Sequence, residues 1–198
     1  MSTIVGSGAV SDNIDEMVQI VRTDVYERWA RKLKDRNAVA RLSVAIRKLS
    51  LGKFGDVKSV GGGVSEVRID HGPGYRLYFT RRQSGEIVIL LCGGTKQKTV
   101  SIAMAGKIEL KPWDVTEYLD SEEMIAEYLA VVFEEGDAEL IRVALNDVAR
   151  ARGMSDLQRQ TGLSRSALYK ALGEGGNPTL DTLLAILKAL GVKMSVVG

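Results

Sequence analysis

The chain has 198 residues, 45% of them hydrophobic and 26% charged, a balance that fits a globular protein with one large folded unit or two small ones. A single cysteine, Cys92, excludes an internal disulfide framework, and together with a single histidine, His71, it cannot build a usual zinc site. No metal and no cofactor are therefore expected, and Cys92, in the apolar run IVILLCGG, is expected to be a buried free thiol.

No apolar run reaches the roughly 18 residues of a membrane span. Residues 1–17, MSTIVGSGAVSDNIDEM, lack the basic start and apolar stretch of a signal peptide. They read as a flexible leader, with Met17 as a candidate second start, and the expected location is the cytoplasm. The net charge of +2 hides a pattern. Residues 1–110 carry 18 Lys and Arg against 11 Asp and Glu, residues 112–149 carry one against 11, and residues 150–198 carry seven against three. The order basic, acidic, basic suggests two nucleic-acid-facing ends around a segment able to mask one of them.

In chain order, MVQIVR (17–22) alternates as a first strand, and Thr23 is placed to cap a helix with Val25, Trp29 and Leu33 on its apolar side. A second helix over about 37–51 carries the stripe Val39, Leu42, Ile46 and Leu49 and ends at Gly52. The period then shortens. VSEVRID, YRLYFTRR and IVILLCGG form a three-strand meander with turns at His71-Gly72-Pro73-Gly74 and around Gln83-Ser84-Gly85, the last strand being apolar on both faces and hence central. This is an α+β unit: a helical hairpin packed on an antiparallel-rich sheet of about four strands.

The rest is all-α. Ser121 starts a helix on Ile125, Leu129 and Val132 that Gly136 breaks. Asp137 caps a second, with Leu140, Ala144, Leu145 and Val148, ending at Gly153. Ser155-Asp156-Leu157-Gln158 has the capping-box pattern for a third. After Gly162, Ser164 caps a fourth helix over 165–172, and a final helix presents Leu180, Leu183, Leu184, Leu187 and Leu190 on one face. VKMSVV closes the chain as a possible edge strand. The expected divisions are 1–17, 18–108, an acidic connecting segment 109–136, and 137–198, with no Ser/Gly/Pro linker at the junction.

LQRQTGLSRSALYKAL (157–172) has the form of a helix-turn-helix. Gly162 permits the tight turn, Leu163 fills the space beneath it, and Leu157, Leu168 and Ala171 join the two helices. The second helix then offers Ser164, Arg165, Ser166, Tyr169 and Lys170 outward, where early residues reach base edges and flanking ones reach phosphate. Arg165 is suited to fork onto a guanine. The position four before the turn glycine, usually small in such motifs, holds Gln158. It either loosens the helix packing or serves the cap, and it is counted among the DNA-facing candidates.

Residues 111–198 resemble the HigA-like addiction-module antitoxins, through KPWDVTEYL, EEMIAEYLAVVFEEGD, LNDVARARGMSDLQRQTGLSRSALYKAL and GNPTLDTLLAILKALGVKMSV. Residues 18–108 resemble the toxins of the HigB-like branch of the RelE/ParE superfamily, through RWARKLKDRNAVARL, LGKFGDVKSVGGGVSEVRIDHGPGYRLYF and VILLCGGTK. The resemblance implies a toxin and its antitoxin fused in one chain. It implies operator DNA as a partner, binding as a homodimer, and neutralisation within the chain or across that dimer. For the first half it implies either cleavage of messenger RNA on the ribosome or inhibition of DNA gyrase.

RNA cleavage by the adjacent 2′-hydroxyl needs a base, a stabiliser for the charged phosphorane and an acid. Without a histidine pair, cationic and phenolic groups must serve. Alternation puts Glu66, Arg68 and Asp70 on one sheet face, with Arg76 and Tyr78 beside them if the glycine-rich turn absorbs the register. Arg68, Arg76, Tyr78 and Lys96 are the candidate RNA-phosphate surface, with Arg76 as charge stabiliser, and His71 is a loop residue. In the resembling toxins an acidic residue stands where this chain has Ser101, and the helix that follows is longer. An mRNA-interferase activity in 18–108 is thus either inhibited or lost in the fusion. The alternatives to a self-neutralised, autoregulating fusion are an endoribonuclease released by proteolysis, a non-catalytic repressor with a remnant toxin unit, and a gyrase inhibitor.

Overall fold

Thr23 Oγ1 accepts the Tyr26 amide at 3.1 Å and Asp35 accepts that of Ala38 at 3.1 Å, so two capping side chains start the first two helices where the backbone leaves amides unpaired. The computed structural model describes residues 17–93 and 109–195, with the side chains of 17–87 and 109–195. Strand β1 (Ile20–Thr23) leads into α1 (Asp24–Ala30) and α2 (Arg36–Ser50), followed by β2 (Val57–Gly61), β3 (Val64–Ile69), β4 (Tyr75–Arg81) and β5 (Ile87–Gly93). After residue 109 come β6 (Leu110–Pro112), a 3-10 turn (Val115–Tyr118), α3 (Glu122–Glu135), α4 (Ala138–Arg152), α5 (Met154–Thr161), α6 (Arg165–Leu172) and α7 (Leu180–Ala189).

Among the described residues the sheet has six strands, not about four, in the order β2-β3-β4-β5-β1-β6. The expected meander is β3-β4-β5, and β5 is central. The two extra strands lie at the edges. β2 joins β3 through Gly61, Gly62 and Gly63, all with positive φ. Such a turn is open to glycine alone at low strain, and VKSVG is too polar to read as a strand. β6 pairs antiparallel with β1 and supplies a sheet edge from the segment expected to be only a connector. The first strand itself starts at Ile20 instead of Met17.

The glycine-rich turn at His71 absorbs the register, as expected. Ile69 faces Tyr75, so the five-residue connection sets Val67 opposite Leu77 and Glu66 opposite Tyr78. Directly opposed residues share a face. Ile69, Tyr75, Leu77 and Phe79 join the core with α1 and α2, while buried Tyr78 stands outside that cluster.

Helix α2 is buried on two sides, since α3 packs along the flank that the sheet does not cover. Ala38, Ala40, Val44 and Ile46 are buried as well as Leu42 and Leu49, and Val39 of the expected stripe is only half-buried. On α1 the buried residues are Tyr26 and Ala30, and Val25 is exposed. In the helical region the caps at Ser121, Asp137 and Ser164 all form, and Gly136 and Gly162 close α3 and α5 at φ +66° and +70°.

Three expectations fail there. Helix α5 begins at Met154 behind Gly153, without a side-chain cap, so Ser155 lies inside it. Leu180 and Leu184 are 64% and 45% exposed, so the buried side of α7 is Ile186, Leu187 and Leu190. Residues 192–195 form no strand. No helix among the described residues is long and apolar enough to cross a membrane.

Candidate nucleic-acid interface

Helices α5 and α6 meet around Leu157, Leu168 and Leu172, all buried. Leu163 and Ala171 are half-buried beside them. The turn is stitched by Thr161, whose hydroxyl donates to the Leu157 carbonyl at 2.7 Å and accepts the Leu163 amide at 3.2 Å. Ser164 Oγ accepts the Ala167 amide at 3.1 Å and lies 3.3 Å from Ser166 Oγ. This leaves Ser164, Arg165, Ser166, Tyr169 and Lys170 exposed on α6, with Gln158 exposed on α5. Gln158 therefore neither packs between the helices nor caps α5. The Arg165 guanidinium lies over the Tyr169 ring, 5.6 Å from its centroid, and Arg165 Nη2 donates to the Tyr169 hydroxyl at 3.4 Å. The pair presents a cation on a stiff aromatic support.

The C-terminal end of α6 is held by a residue that sequence patterning did not single out. Arg142 of α4 donates Nη1 to the Leu172 carbonyl at 3.1 Å and to that of Gly173. A cation on these carbonyls satisfies acceptors the helix leaves open and complements its dipole. Arg142 is the lone base of an acidic stretch, which was the available signal.

A second cluster lies on the sheet face away from the helices. Glu66 is 2% exposed. It accepts from Arg68 Nε at 3.0 Å and from Arg76 Nη1 at 2.9 Å. Burial alone would raise its carboxyl, but hydrogen bonds from Arg68, Tyr78 and Arg76 outweigh that and hold it below its ordinary value. Burial and the neighbouring Glu66 push the Tyr78 hydroxyl up, so it stays protonated and able to donate. The structure thus brings Arg68, Arg76 and Tyr78 together around a carboxylate that had been noted only as outward-facing. Lys96 and Ser101 lie outside the described residues. His71 sits in its turn and meets Asp35 at 2.9 Å.

Among the described residues the acidic stretch makes no ion pair with this face; its carboxylates lie along α2 and its surroundings. Glu123 faces Arg36 at 3.5 Å, Glu134 faces Arg41 at 2.8 Å and Glu135 faces Lys48 at 2.7 Å. Lys53 reaches Asp137 at 2.5 Å and Glu139 at 2.9 Å. Asn37 Nδ2 donates to Glu127 at 2.8 Å. Deeper in, Arg47 of α2 forks onto Asp147 of α4 through Nε at 2.9 Å and Nη2 at 2.6 Å. Tyr128 donates its hydroxyl to the same carboxylate at 3.1 Å, and Trp113 lies under the Arg47 guanidinium. At the other end Arg22 of β1 meets Glu117 at 2.6 Å. Exposed pairs of this kind contribute about 0–1 kcal/mol each. The apolar contact of α2 with α3 carries more of the attachment, and the bidentate buried pair fixes its geometry.

Residues 109–198 match the family model described as probable addiction module antidote protein. The chain is also 49% identical over 88 residues to an uncharacterized protein of Haemophilus influenzae, an alignment that spans 44% of this chain and 91% of the relative. A second uncharacterized protein of the same organism is 48% identical over 79 residues, 40% of this chain and 79% of the relative. No solved structure matches the chain. Through residues 109–198 the chain belongs to the addiction module antidote family, and its role is tied to toxin–antitoxin systems.

Proposed function

We propose that this protein is a toxin and its antitoxin fused in one chain, with 18–108 as the toxin unit, 109–136 as the neutralising segment and 137–198 as an operator-reading unit. The observation that carries this is the attachment itself. The antidote-family half adds strand β6 to the sheet of the first half, lays α3 along α2, and sends Asp147 into a buried fork with Arg47. A strand, a helix face and a buried ion pair from one half on the other are the ways one protein holds a partner. Here the partner is covalently tethered, at an effective concentration of order millimolar or above. Neutralisation is therefore in cis, and toxicity is silent while the chain is whole.

Operator binding rests on the exposed row of α6, with Arg165 and Ser166 toward base edges and Tyr169 and Lys170 toward phosphate. A duplex from upstream of the gene, titrated by gel shift or fluorescence anisotropy, should be bound by a dimer on paired half-sites. Arg165→Ala should weaken binding about tenfold or more, the loss of a bidentate base contact. An unchanged affinity would remove Arg165 from the reading head. Lys170→Ala should weaken specific and random duplexes alike.

A further inference from the structure

Helix α6 has little apolar surface to hold it in place. It has eight residues, about 12 Å at the rise of an α-helix, and only Leu168 and Leu172 on it are buried. The two lie one turn apart and make a single narrow stripe. Burial of that stripe sets how deep the helix lies, but it is non-directional and resists sliding or rotation weakly. A helix that reads base edges needs both fixed, to within about half an ångström. Directional contacts at its ends must supply this.

The N-terminal end supplies none to the rest of the fold, since the Ser164 cap serves Ala167 of the same helix. The C-terminal end is different. The Gly173 amide donates to the Tyr169 carbonyl at 2.7 Å and the Gly176 amide to the Gly173 carbonyl at 3.0 Å. A Cβ at Gly176 would stand 2.5 Å from the Ala171 carbonyl oxygen, so the loop lies directly on the helix end. Arg142 reaches this end from α4, with Nη1 donating to the carbonyls of Leu172 and Gly173. Helix α4 is a firm reference, being 15 residues long with Leu140, Val143, Ala144, Leu145 and Val148 buried.

We propose that Arg142 is a positioning residue for base reading. By holding the last carbonyls of α6 to α4, it fixes the axial and rotational setting at which Arg165 and Ser166 meet base edges. This rests on the reading of α6 as the operator-facing helix. Arg142 acts at the end of α6 remote from Arg165 and touches no base itself. Its loss therefore costs specificity first. Base contacts depend on direction, whereas attraction to phosphate tolerates a small shift of the helix.

The test uses the full chain, a duplex from upstream of the gene and a random duplex of the same length, titrated by fluorescence anisotropy over a series of salt concentrations. Arg142→Met should cut the ratio of upstream to random affinity roughly tenfold, the scale of one lost base contact. Random-duplex affinity and the salt slope should stay at their wild-type values. Arg142→Lys keeps a cation able to donate to one carbonyl and should recover part of the ratio. Added to Arg165→Ala, Arg142→Met should cost little more, because the contact it positions is already gone. If Arg142→Met melts below the assay temperature, Arg142→Lys carries the test, with a ratio below wild type at an unchanged salt slope as the expected result. A wild-type ratio in the Arg142 variants, with Arg165→Ala still lowering it, would overturn the positioning role and leave the operator reading standing. A joint fall in both affinities, with the salt slope smaller by about 0.9, would make Arg142 a phosphate contact and overturn the role as well. A ratio that ignores Arg165→Ala would remove the operator reading and this inference together.

Discussion

Asp147 is the residue on which the attachment of the two halves turns. It is 2% exposed and receives Arg47 in a bidentate fork, Tyr128 through its hydroxyl, and Arg150 at 3.6 Å. Burial pushes the Asp147 carboxyl up even with these partners, while the same carboxylate raises Arg47. A pair of this kind adds little net stability over a well-packed apolar pair, but removing one member leaves the other charge buried alone. Asp147→Ala should therefore destabilise the chain by about 3–5 kcal/mol in urea unfolding, and Arg47→Met in the same chain should recover much of that loss. Additive losses would contradict a coupled buried pair. Nothing in the sequence marked this contact, because an acid 100 residues from its partner carries no local pattern. Arg68, Arg76 and Tyr78 could be read because strand alternation is local. Glu66 was seen on the right face, but its burial depends on the cross-strand register.

Elements were legible where their signals were local and strong. The caps at Thr23, Ser121, Asp137 and Ser164 start helices α1, α3, α4 and α6, since each is a short side chain satisfying its own helix. The capping box at Ser155 failed because Gly153, at φ +93°, had already ended α4 and begun α5. Strand β6 was missed for a different reason. Three residues, Leu110-Lys111-Pro112, have no period to read, and they become a strand only because the edge of β1 awaits a partner. Its backbone bond from Trp113 N to the Ile20 carbonyl, 3.0 Å long, gives a direct check. In hydrogen exchange on the intact chain the Trp113 amide should be protected with the sheet, and in residues 109–198 alone it should exchange freely. Equal exchange in both would show that β6 contributes nothing to the attachment. The exposure of Leu180 and Leu184 has the same origin as the double burial of α2: an apolar face shows in sequence, but what covers it does not.

At the scale of the whole molecule, the alternation of basic, acidic and basic segments becomes a spatial arrangement. The acidic segment lies along the cationic flank of α2, and the two remaining basic surfaces, on the β3–β4 face and on α6, are left outward. The charge pattern led to the expectation that the acidic segment masks a basic surface of the first half, and its carboxylates do meet Arg36, Arg41, Lys48 and Lys53 there. The geometry supports control by attachment, through β6, α3 and Asp147. The most direct test is growth of a bacterial host after induction of residues 17–108 alone, with and without residues 109–198 supplied from a second plasmid. Growth should stop in the first case and resume in the second, while the full chain leaves growth untouched. Unimpaired growth with soluble 17–108 present would contradict a toxin held in check by its own chain.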